Sequence, residues 1–140
     1  MKFLESYSSY LYATMRVVAG FLFACHGAQK LFGVLGGFRG SAGATAPLFS
    51  MIGLAGVIEF GGGALIMLGL FTRVAAFLAS GQMAVAYFMA HFPRGFWPIQ
   101  NNGELAALYC FVFLYIAARG PVICALDRTL WKGARGPDTT

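Results

Sequence analysis

Long apolar runs alternate along this chain with short polar interruptions, and the runs have membrane length. The stretches 11–31, 48–71, 74–92 and 104–118 approach the roughly 20 apolar residues that cross a hydrocarbon core of about 30 Å. Residues 1–10 are amphipathic and tyrosine-rich, as expected of a segment lying at headgroup level. The connection 32–47 (FGVLGGFRGSAGATAP) is rich in glycine and small residues and predicts a loop, re-entrant or folded over the mouth of the bundle. Thr72-Arg73 leaves room only for a tight turn, so the second and third runs must be antiparallel neighbours. An aromatic, proline-rich loop from His91 to Pro98 precedes Asn101-Asn102-Gly103-Glu104, which has the caps and acidic first turn of a helix start. Arg119-Gly120-Pro121 ends the last run. The pattern predicts an all-α membrane protein, an antiparallel four-transmembrane-helix bundle forming one domain over 1–128, with a polar cytoplasmic tail over 129–140.

Composition sharpens this expectation. The chain is 59% hydrophobic and 11% charged over 140 residues, about half the charge fraction of a soluble domain. Its 19 glycines suit helices whose backbones approach closely in lipid. The start, MKFLESYSSYLYATMR, lacks the basic region and cleavage site of a signal peptide, so the first run is expected to remain in the mature protein.

A net charge of +5 raises the question of nucleic acid. The basic residues punctuate the ends of apolar runs instead of forming one patch, which excludes nucleic acid and points to topology. Lys2, Arg73, Arg119, Arg128, Lys132 and Arg135 fall on one side, and Lys30, Arg39 and Arg94 on the other. The positive-inside rule then places both termini in the cytoplasm of a prokaryotic inner membrane.

The candidate chemistry lies in polar residues set inside apolar runs, where each is costly and needs a partner. The first run carries Arg16, His26 and Lys30, the second Glu59 and the third Gln82; His91 ends the third and Glu104 opens the fourth. At about 1.5 Å per residue, His26 lies roughly 15 Å above Arg16, one turn from Lys30. His26, Lys30, His91 and Glu104 thus share an outer level, with Glu59 and Arg16 below.

Two histidines and a carboxylate at one level can bind a quinone carbonyl, relay protons or hold a metal. The competing reading makes all of them ion pairs that glue helices together. Arg16 with Glu59 is expected to be such a structural pair. The His26 level is expected to be functional, because histidine is poor glue and a good proton handler. Metal is the weakest option, since no HxxxH or HxxE spacing occurs. Cys25, Cys110 and Cys124 are scattered and form no disulfide framework or zinc site. Cys25, beside His26, stays open as a redox residue. Phenylalanines at helical spacing are expected to face lipid or pack.

The runs RVVAGFLFACHGAQKLFG (16–33) and GLAGVIEFGGGALIMLGLFTRVAA (53–76), then Asn102-Gly103-Glu104, and finally Gly120-Pro121 and Leu126-Asp127, resemble the DoxX family over 16–127. Where that family usually carries a small residue and serine before its aspartate, Ala125-Leu126 stands here. The resemblance implies a four-helix prokaryotic inner-membrane protein in a redox setting. Some members are similar to the membrane subunit of thiosulfate:quinone oxidoreductase, and others are linked to thiol and oxidative-stress complexes.

The function expected is a quinone-interacting, redox-linked membrane subunit, with or without catalysis of its own, able to join a protein partner or a second copy. His26 would bind the head group, with Glu59, His91 and Glu104 tuning it or passing protons. Lys30 stands among them, and Phe23 and Trp97 would supply the apolar wall. A non-enzymatic scaffold or assembly factor is the alternative, and a small proton-coupled transporter the next.

Overall fold

The computed structural model describes residues 2–130, so the tail expected over 129–140 lies almost wholly outside the described residues. Among them the chain is helical, without strands. A short helix α1 (Lys2–Ser6) breaks at Tyr7 and leads into α2 (Ser8–Phe32), which Gly33 ends in the left-handed conformation. The second helical stretch runs through α3 (Met51–Val57), a π turn (Ile58–Gly62) and α4 (Gly63–Leu68). The third runs through α5 (Thr72–Ala86), a second π turn (Tyr87–His91) and a 3-10 turn (Phe92–Arg94). After α6 (Pro98–Asn101) come α7 (Glu104–Arg119) and α8 (Leu126–Leu130).

Ser8–Phe32, Met51–Leu68 and Thr72–Arg94 are long and apolar enough to cross a membrane. At 16 residues, α7 is shorter than the three continuous helical stretches before it, about 24 Å at 1.5 Å per residue. Large side chains such as Phe21, Phe77, Leu108 and Phe111 stand exposed on the outside. An apolar exterior of this extent fits a lipid environment.

The helices associate as two close pairs. In the first, α2 lies antiparallel to the second stretch, and glycine permits the contact. A Cβ on Gly20 would lie 2.7 Å from the Gly63 carbonyl oxygen, and one on Gly27 would collide with the Phe60 backbone. Gly20 and Gly27 therefore face Gly63 and Gly56 across a seam that admits no side chain at these points.

In the second pair, Ala75, Ala76, Ala79 and Met83 of α5 form one buried core with Ala106, Tyr109, Phe113 and Ile116 of α7. Ser80 Oγ joins the pair by donating to the Cys110 carbonyl at 2.8 Å. Phe23 of α2 bridges to the other pair, with its ring 4.7 Å from that of Phe113. The two pairs touch through α4, the first π turn and α5, whereas α3 stays largely clear of α5. A wedge therefore opens at the α3 end.

Side chains that satisfy helix ends hold the opposite end shut. Arg16, fully buried, donates through Nη1 to the carbonyls of Ile66 and Met67, and through Nη2 to Cys124 at 2.6 Å. Asp127 accepts from the N–H groups of Phe71 at 2.7 Å and Thr72 at 2.9 Å and from the Thr72 hydroxyl at 2.8 Å. It is thus a distant cap for the start of α5. Arg73 donates to the carbonyls of Ala117 and Ala118 at 3.1 and 2.8 Å, closing the end of α7. Tyr12 donates to the Gly120 carbonyl at 2.8 Å, with Arg119 over its ring.

The turn expected at Thr72-Arg73 therefore sits earlier, at Gly69–Phe71. Asp127 pays the N-terminal hydrogen bonds of α5 and lets the helix begin at Thr72.

Candidate functional site

The wedge between the helix pairs holds a cleft of about 760 Å³. Its walls are mostly aliphatic and its inner end is polar. Exposed Leu54 and Phe77 stand on the two sides of its mouth, so the cleft opens sideways onto the apolar exterior of the molecule. The 32–47 loop contributes nothing to the lining. It folds back on the end of α2 instead, where the Ala46 N–H donates to the Lys30 carbonyl at 2.7 Å.

At the inner end Glu59 is almost fully buried, and Lys30 Nζ forms an ion pair with its Oε1. Gln82 Nε2 donates to the same oxygen at 2.9 Å. Three helical stretches thus meet on one carboxylate oxygen. Glu59 Oε2 and Gln82 Oε1 remain buried without a partner. Desolvating a carboxylate costs several kcal/mol, which the Lys30 charge and the Gln82 amide offset in part.

Glu59 lies within the first π turn and His91 within the second. Each such turn departs from the i→i−4 ladder and rotates the residues around it, a distortion common at functional sites. An uninterrupted α-helix would aim these side chains differently.

His26 lies on the exposed side of the cleft, edge-on to the ring of Tyr109 at 6.5 Å. Its imidazole makes no hydrogen bond among the described residues. His91 Nδ1 lies 3.1 Å from both the Asn101 carbonyl and Arg94 Nη2. It can donate to the first or accept from the second, but not both at once.

Of the residues expected to form the site, Phe23, His26, Lys30, Glu59 and His91 line the cleft, and Trp97 and Glu104 do not. Trp97 is 61% exposed and packs edge-to-face on Phe96. Glu104 is exposed at the first turn of α7. The inward face of that helix carries Ala106, Tyr109 and Phe113, and at about 100° per residue Glu104 lies some 200° from Ala106.

The expected Arg16–Glu59 ion pair does not form either. Arg16 binds backbone carbonyls at the closed end, and the partner of Glu59 is Lys30. Lys30 lies 14 residues further along α2, about 21 Å from Arg16 at the helical rise.

The sequence places Gln82 among the polar partners without giving it a role at the site, and gives Tyr109 none. Gln82 carried a usable signal as a lone amide in an apolar run. Tyr109 carried none, because its place follows from how α7 packs. Cys25 is half-buried and carries a free thiol. Among the described residues no group of three His, Cys, Asp or Glu side chains is placed to hold a metal ion.

Comparison with known proteins places this chain in a family. The DoxX family model matches residues 11–92. An uncharacterised protein of Haemophilus influenzae is 44% identical over 135 residues, covering 94% of this chain and 99% of its own. A Bacillus subtilis protein bearing the name "Putative oxidoreductase CatD" is 28% identical over 121 residues, covering 86% of this chain and 87% of its own. No solved structure matches significantly. By the family match over more than half of its length, this membrane protein belongs to the DoxX family.

Proposed function

We propose that the chain crosses a prokaryotic inner membrane four times, with both termini cytoplasmic, and binds a quinone-type molecule as a redox-linked subunit. The observation that carries this reading is the cleft. It is apolar along its walls, opens sideways onto the apolar exterior, and ends on Lys30, Glu59 and Gln82. A flat head group on a long apolar chain has that same division between polar tip and greasy body. Such a molecule dissolves in the bilayer and reaches a lateral opening without passing through water.

Topology supports the reading. With α7 as the fourth span, Lys2, Arg73, Arg119 and Arg128 share one side against Lys30, Arg39 and Arg94 on the other, a bias that by the positive-inside rule favours cytoplasmic termini. The Bacillus relative's name points to the same class of chemistry. His26 and His91 line the cleft as groups able to donate or accept a hydrogen bond at a head group.

A second reading rests on the Lys30–Glu59–Gln82 contact itself, which ties three helical stretches together and would suit a scaffold for a redox complex. Extraction of the detergent-purified protein, followed by mass spectrometry, separates the two. A stoichiometric quinone or quinol in the wild type, lost in a folded His26→Ala protein, supports the ligand site. A wild type with neither, whose Glu59→Gln variant loses only helix association, supports the scaffold.

A further inference from the structure

The polar end of the cleft is lopsided in its hydrogen bonding. Lys30 Nζ and Gln82 Nε2 both donate to Glu59 Oε1, which leaves Glu59 Oε2 and Gln82 Oε1 as the buried side-chain atoms there without partners. Both are acceptors. The orientation of the Gln82 amide is set by chemistry, because rotating it by half a turn would press its oxygen against the Glu59 carboxylate. Lys30 keeps two further N–H donors, but at 25% exposure water can satisfy them, whereas the two acceptors are buried; His26 and His91 at the edge can each act as donor or acceptor, so they impose no preference. A buried acceptor without a donor costs free energy that a ligand hydroxyl or N–H would recover, whereas a ligand carbonyl would recover none of it.

We infer that the cleft selects a head group that donates hydrogen bonds, so that it holds the hydroxyl-bearing quinol in preference to the carbonyl-bearing quinone. This inference rests on the cleft being the ligand site proposed above. One quinol hydroxyl donates to Glu59 Oε2, a charge-assisted bond, and Gln82 Oε1 offers a second acceptor. The quinone presents only acceptors, and against Glu59 Oε2 it would set lone pair against lone pair.

A charge-assisted hydrogen bond is worth roughly a tenfold or greater difference in affinity. Selective binding of the reduced form raises the two-electron potential of the bound couple, by about 30 mV for each tenfold preference. A bound quinone is thereby a stronger oxidant than the same quinone free in the lipid.

The test uses the full chain in mild detergent under anaerobic conditions. Titration calorimetry with decylubiquinol and with decylubiquinone compares the two oxidation states of one molecule. The expected result is a dissociation constant roughly tenfold or more lower for the quinol. Gln82→Met keeps the side-chain volume and removes the amide, and should cut the quinol preference several-fold. Glu59→Gln should bring the two affinities close to parity, and Gln82→Met carries the test alone if Glu59→Gln fails to fold. Equal affinities, or tighter quinone binding, in the folded wild type would overturn the donor-selective cleft and leave the ligand site standing. Binding of neither form would overturn both.

Discussion

The two ends of the helix assembly each bury charged side chains, and they use them in opposite ways. At the closed end, Arg16, Arg73 and Asp127 bind backbone carbonyls and N–H groups of neighbouring elements, so each charge completes a helix terminus. Among the described residues there, Arg16 Nε is a buried side-chain atom without a partner, while both Nη atoms are engaged. At the open end Glu59 meets other side chains, and the contact leaves one of its oxygens and the Gln82 oxygen empty beside a cleft. Side chain to backbone bonding makes a lock, since the backbone groups need a partner in any case. Side chain to side chain bonding with acceptors left over is what a receptor needs, the role proposed for the open end. Burial of charge alone does not separate the two; the satisfaction of the surrounding groups does.

The sharpest way to break this comparison is to remove Arg16. Arg16→Met strands the carbonyls of Ile66, Met67 and Cys124 and should cost roughly 3 kcal/mol or more. Thermal or denaturant unfolding in detergent checks this. A loss under about 0.5 kcal/mol, the usual range of neutral surface changes, would mean that the closed end is no lock.

Glu59→Gln comes next. It should cost less, about 1–2 kcal/mol, because Lys30 is 25% exposed and its freed ammonium can turn toward the opening. Quinol affinity should fall by roughly tenfold or more over the same substitution. An equal stability loss in Arg16→Met and Glu59→Gln, with ligand binding intact, would make both ends structural.

The smallest effects are expected from Trp97→Ala and Glu104→Ala, both outside the cleft. Each should shift stability by no more than about 0.5 kcal/mol, and calorimetry should find ligand affinity unchanged within about twofold. A larger loss of binding in either would place the outer loop in the site after all.

Much of this molecule could be read along the chain. The membrane character and three of the long apolar stretches follow from the length and polarity of local runs, so Ser8–Phe32 and Thr72–Arg94 fall close to where the pattern puts them. The candidates His26, Lys30, Glu59 and His91 stood out because a polar side chain in an apolar run costs free energy wherever the helices pack. Asp127 was visible only as part of a family motif, and its role as a cap for α5 depends on a contact across 55 residues.

Partnership is what only the tertiary structure decided. Whether Glu59 meets Arg16 or Lys30 depends on the rotation and depth of two helices, set by the glycine seam of Gly20, Gly27, Gly56 and Gly63 and by a π turn with no evident signature in the sequence. The exclusion of Glu104 and Trp97 likewise turns on helical phase. Composition determines which groups must be satisfied, because the cost of burying them is local. Which group satisfies which, and which are left for a ligand, depends on the relative placement of whole helices, and that is a property of the packed molecule.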